Sequence, residues 1–109
     1  MTFTVDFTPG ESQLTQQDNN VLDAVAKYTT RNPTSSIQVT GYADISGSAA
    51  NNIVISAARA VAIRNALVKR GIPPQRISVS FLGSNDLLVQ AMGGLQDEAP
   101  SRRVEIVVN

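Results

Sequence analysis

Four stretches of the chain alternate apolar and polar residues. In the first, Phe3, Val5 and Phe7 oppose Thr4 and Asp6. A period of two predicts a half-buried strand over Thr2–Phe7. Ser36–Tyr42 repeats the pattern, with Ile37, Val39 and Gly41 opposed to Gln38, Thr40 and Tyr42. Ile77, Val79 and Phe81 predict a third strand. Arg103–Val108 predicts the last, where Val104, Ile106 and Val108 alternate with Arg103, Glu105 and Val107. Gly41, near a strand end, marks a close approach of backbone.

Two stretches carry the helical period instead. Val21, Leu22, Val25 and Ala26 recur at helix spacing, with Tyr28 and Thr29 near the end. Thr15 is the expected N-cap, Asp18 complements the positive helix end, and Asn32-Pro33 stops the helix. The second helix is predicted from about Asn52 to Arg70. Ala57, Ala60, Ile63 and Leu67 share one side, with Val61 and Val68 adjacent. Arg64 falls inside this arc and is expected at its edge, stem packed and head in water. Lys69 and Arg70 suit the negative helix end, Gly71 is the expected C′ residue, and Pro73-Pro74 blocks continuation. Asp44–Asn52 reads as a small-residue loop. Gly83–Ser101 reads as a long connection, with room for a helical turn over Asp86–Met92. Connections this long in compact domains are often functional or mobile.

The predicted order is strand, helix, strand, helix, strand, strand. Two helices must cover one face of one sheet to bury their apolar stripes. The expected fold is therefore α+β, a two-layer β-α-β-α-β-β sandwich with a mixed four-stranded sheet. A chain of 109 residues suits one domain, expected to span 1–109. Trp is absent and aromatics are few, so the core must be aliphatic. Nine basic residues balance nine acidic ones, which argues against a nucleic-acid partner. His and Cys are both absent. The usual general base, the thiol nucleophile and the commonest metal ligands are thus missing. No cofactor, metal or catalytic residue is expected. No apolar run is long enough to span a bilayer, and MTFTVDF lacks the basic and apolar regions of a signal peptide. The chain is expected either in the cytosol or as one domain of a longer exported protein.

The chemistry concentrates in Gly41–Ala60, GYADISGSAANNIVISAARA. Asp44 sits at a strand exit and Arg59 early in the following helix. In isolation Asp44 reads as a turn residue bonding nearby N–H groups, and Arg59 as an exposed helix residue. The loop, however, must return the chain to the sheet, which puts strand end and helix start on one rim. An acid and a guanidinium there either pair with each other or face a zwitterionic ligand. Asn52, near the helix start, suits capping. The helix end adds N–H donors that favour a ligand carboxylate. Ser56 has no base beside it and reads as a packing residue. Of Arg102 and Arg103, alternation lets only one point toward that rim; the other reading is edge-strand charge that discourages aggregation. Asp97-Glu98 reads as solvated loop charge. Gly41, Gly47 and Gly83 match no phosphate-binding fingerprint.

These residues resemble a known family. Gly41, Asp44, Gly47, Asn52, Ile55-Ser56 and Arg59-Ala60 follow the signature of the OmpA-like C-terminal domain. That module also occurs in peptidoglycan-associated lipoproteins and flagellar stator proteins. Leu67, Gly71-Ile72-Pro73 and Ser101-Arg102-Arg103-Val104-Glu105-Ile106 match as well, as do Val5-Asp6-Phe7 and Leu14-Thr15. The similarity covers nearly the whole chain. It implies non-covalent binding of peptidoglycan through the meso-diaminopimelate of the stem peptide, with no enzymatic activity. Asp44 would take the ligand ammonium and Arg59 its carboxylate, with Asn52 and Arg102 as supporting contacts. It further implies a periplasmic domain of an outer-membrane or cell-envelope protein. Such a domain makes no membrane contact of its own, and any homo-oligomer would form through the parent protein. Tyr42-Ala43 stands where the family usually has His-Thr, Ser101 where it has Asn, and Gly10 where many members carry a polar residue. These departures motivate an alternative, a protein-interaction or assembly module with a degraded peptidoglycan pocket.

Overall fold

The computed structural model describes residues 1–7, 11–42, 49–83 and 103–109. Its elements run β1 (Thr2–Asp6), α1 (Gln16–Arg31), β2 (Ile37–Tyr42), α2 (Ala49–Lys69), a 3₁₀ turn (Pro74–Arg76), β3 (Ile77–Gly83) and β4 (Arg103–Val108). The expected α+β order holds. The strands form one four-stranded sheet in the order β1-β4-β2-β3. β4 runs antiparallel to both β1 and β2, and β2 pairs parallel with β3. The sheet is mixed because α2 carries the chain from β2 back to β3 in the same direction, as a parallel pair requires.

Cross-strand partners share a face of the sheet. Phe3 and Val5 pair with Ile106 and Val104, and Ile37, Val39 and Gly41 pair with Val108, Ile106 and Val104. Ile77, Val79 and Phe81 extend these rows on β3. Both helices cover this face: α1 contacts β1, and α2 contacts β2, β3 and β4. Leu22 and Val25 of α1 and Ala60, Ile63 and Leu67 of α2 are fully buried in this aliphatic core. Each such Leu, Val or Ile side chain contributes roughly 1.5–3 kcal/mol by leaving water. The opposite face carries Thr4, Asp6, Gln38, Thr40, Ser78, Ser80 and Glu105, where Gln38 and Thr40 meet the Ser80 hydroxyl at 3.0 and 3.1 Å.

Helix ends follow the sequence closely where local chemistry decides them. Thr15 and Asp18 form a capping box: the Asp18 N–H donates to the Thr15 hydroxyl at 3.1 Å and the Thr15 N–H donates to the Asp18 carboxylate at 2.8 Å. At the end of α2 the Ile72 N–H bonds the Leu67 carbonyl and the Gly71 N–H bonds that of Val68. This is a Schellman motif, with Gly71 at φ +93°. Arg70 does more than complement the helix end. Its guanidinium reaches the Ala66 carbonyl at 3.0 Å and crosses to Asp23 of α1 at 2.8 Å. Arg76 likewise clasps the turn after α1, donating to the Ser35 and Asn32 carbonyls.

Two expectations need correction. α2 begins at Ala49, so the loop predicted to reach Asn52 is shorter and Asn52 lies inside the helix rather than at its cap. The buried face of α2 includes Ser56 and Arg59, whereas Val61 is 44% exposed. The cause is Gly41: a Cβ there would collide with the Ser56 carbonyl oxygen and touch the Ala60 Cβ. A bare glycine lets α2 settle on β2 and rotates its contact face toward Ser56. The expected turn at Asp86–Met92, and the connection that holds it, lie outside the described residues.

Gly41→Ala is expected to lower stability by about 2 kcal/mol or more, since helix backbone must move. Gly71→Ala faces open space and should cost only about 1 kcal/mol, from positive φ alone. Chemical denaturation of both variants measures the contrast. Thr15→Ala, read the same way, should cost about 1 kcal/mol through loss of the capping box.

Candidate functional site

The site is built around Arg59. It lies on the α2 face that carries Ser56, Ala60 and Ile63, so the helix directs it toward the sheet. The residue is 1% exposed. Its Nε–H donates to the Glu11 carbonyl at 2.9 Å and Nη1 donates to the Tyr42 carbonyl at 3.1 Å. The guanidinium also lies over the Phe7 ring, 5.2 Å from its centroid. That is within the range of cation–π attraction. One side chain thus joins the chain just after β1, the start of the connection to α1, and the last residue of β2. The exposed-helix role open to Arg59 in the sequence is excluded.

Burying a cation is costly unless it is hydrogen-bonded. Backbone carbonyls supply acceptors that cannot rotate away, so the planar fork is held in one orientation. Ser56, one turn earlier, is also fully buried and donates to the Ile53 carbonyl at 2.9 Å. That agrees with a packing role.

Asp44 and Arg102 lie outside the described residues, as does the side chain of Asn52. Arg103 is described. It is buried on the face of the sheet turned away from the helices, 5% exposed. Its guanidinium stacks over the Tyr42 ring, 3.9 Å from the centroid, and Nε pairs with Glu105 at 3.0 Å.

Sequence reasoning missed three partners. Phe7 was legible only as a core residue. The Glu11 and Tyr42 carbonyls carry no signal, because every residue has one. A signal for burial of Arg59 did exist. It precedes Ala60 and stands four residues before Ile63, both on the buried stripe. Among the described residues no group of acids could hold a metal ion, and no helix is long and apolar enough to cross a membrane.

Comparison with known proteins places this geometry in context. The chain is 36% identical over 99 residues to the peptidoglycan-binding protein ArfA of Mycobacterium tuberculosis, covering 90% of this chain and 30% of that protein. It is 32% identical to outer membrane protein A of Serratia odorifera, covering 94% of this chain and 46% of that protein. The chain thus spans less than half the length of these relatives. The crystal structure of the peptidoglycan-associated lipoprotein from Burkholderia pseudomallei superposes with a TM-score of 0.84 at 24% identity, over 97% of this chain and 89% of that one. A model of the OmpA family matches residues 6–99. With that match over most of its length and the shared fold, the chain belongs to the OmpA family.

Proposed function

We propose that this domain binds peptidoglycan non-covalently through meso-diaminopimelate and anchors an envelope protein to the cell wall. In this reading Asp44 takes the ligand ammonium and Arg59 its carboxylate. Asn52 and Arg102 are supporting contacts from α2 and from the residue before β4. The whole chain acts as one binding domain in the periplasm.

One observation carries the reading. The Arg59 guanidinium is held by the Tyr42 carbonyl, and Asp44 follows Tyr42 by only two residues. The cation is anchored to the strand end from which the acid departs. A zwitterion needs both charges presented near each other, and their shared link to the end of β2 supports that reading. The fork is oriented before any ligand arrives, so little rotamer freedom is lost on binding. A carboxylate meeting a guanidinium edge-on makes two parallel charge-assisted hydrogen bonds. No bond is broken, so the lack of His and Cys is no obstacle. The name of the mycobacterial relative, a peptidoglycan-binding protein, supports the ligand class.

Arg59 also holds the fold together, which shapes the test. Calorimetric titration of the domain with meso-diaminopimelate should show binding. Asp44→Ala should weaken it about thirtyfold or more while leaving the thermal midpoint nearly unchanged. Arg59→Lys keeps the charge but loses the fork, and should weaken binding and also cost about 2 kcal/mol of stability. A folded parent domain that takes up no diaminopimelate would overturn the reading in favour of the protein-interaction module.

A further inference from the structure

Tyr42 is touched by an arginine from each side of the sheet. Gly41 faces α2, so by alternation the Tyr42 ring faces the opposite way. There it carries the Arg103 guanidinium at 3.9 Å. Arg103 is itself tied by Glu105 at 3.0 Å and stands cross-strand from Asp6. On the helix side, the Tyr42 carbonyl accepts from Arg59 at 3.1 Å. Ring and carbonyl belong to one residue, so the orientation of one constrains the other.

The strand is irregular at this point. β2 and β3 pair in steady register from Ile37 to Gly41, and the register then shifts between Gly41 and Tyr42. A bulge of this kind loosens the ladder's control over the peptide at its end. Tyr42 still pairs with Gly83 beyond the shift, so the carbonyl that holds Arg59 sits at an altered point of the ladder. The stacked Arg103 adds a hold there: a cation over the ring, fixed along its own strand by Glu105.

We infer that Tyr42 is a positioning residue for the Arg59 fork, set by its stack with Arg103 on the far face of the sheet. The inference rests on the proposed diaminopimelate site and deepens it. It explains how an aromatic residue serves where the family usually has histidine before the site loop. It also gives the Arg102-Arg103 pair two separate duties. Arg103 acts through Tyr42 and touches no ligand. Charge clamps lose strength when their supports allow displacements of about 0.5–1 Å, so removal of the stack should be felt at the ligand.

The experiment uses two readouts on the same set of variants. The first needs no ligand: hydrogen exchange of the Arg59 Nη1–H, which bonds the Tyr42 carbonyl, in a proton–nitrogen correlation spectrum at low temperature. The second is titration with meso-diaminopimelate. In Arg103→Gln and Tyr42→Ala, exchange at Arg59 should be about tenfold faster and affinity about tenfold weaker. Tyr42→Phe and Arg103→Lys keep a ring under a cation, and both readouts should stay within about twofold of the parent. Such rescue separates positioning from a general loss of stability. Should Tyr42→Ala fail to fold, the Arg103→Gln and Arg103→Lys pair makes the same comparison. A folded Arg103→Gln protein with parent-like exchange at Arg59 overturns the inference. A parent that shows no diaminopimelate binding overturns the proposed function instead, and the exchange readout still decides the role of Tyr42.

Discussion

The close seat of α2 on β2 is the constraint on which the rest depends. It exists because residue 41 has no side chain, so the Ser56 carbonyl and the Ala60 methyl can occupy the space above it. That contact sets both the height and the rotation of the helix. The height lets Arg59 reach the carbonyl of the neighbouring strand residue, Tyr42. The rotation turns Ser56 and Arg59 inward and leaves Val54 and Val61 facing solvent. A bulkier residue at this point would lift the helix and break the link between strand end and arginine.

Arg59 then carries two loads that pull in different directions. As a structural element it joins the exits of β1 and β2, with Phe7 beneath it and carbonyls at two edges. As a proposed ligand group it must still meet a carboxylate. Rigid carbonyl acceptors reconcile the two, because they hold the fork in one orientation. Orientation fixed in the free protein also lowers the entropy lost on binding.

Arginines elsewhere perform similar bracing at lower burial. Arg70 holds α2 to α1 through Asp23, and Arg76 holds the turn that leads into β2. The exposed Arg70–Asp23 pair alone is worth little, at most about 1 kcal/mol. Its additional bonds to the Ala66 carbonyl and Asn19 make it a three-point clasp. Arg103 repeats the theme on the outer face with a ring in place of a carbonyl. The result is a sheet whose rim beside the site is fixed from both faces.

Local chemistry was readable from the sequence, and spatial convergence was not. Alternation of apolar residues located all four strands, because a period of two is forced by the pleat itself. The Thr15 cap and the Gly71 stop were legible because caps involve residues within a turn of each other. The motif from Gly41 to Ala60 pointed to Arg59 and carried the family with it. The strand order β1-β4-β2-β3 was not legible, since it depends on long-range pairing of segments about a hundred residues apart. Nor was the true buried face of α2, because hydropathy leaves Arg59 and Ser56 out of the stripe that a glycine on another element brings inward. Backbone acceptors at Glu11 and Tyr42 have no sequence signature at all. The amino-acid sequence by itself determined the elements, the helix caps and the candidate charges. Only the tertiary structure decided which carbonyls, rings and strand ends those charges would meet, because such meetings depend on distances that no local pattern encodes.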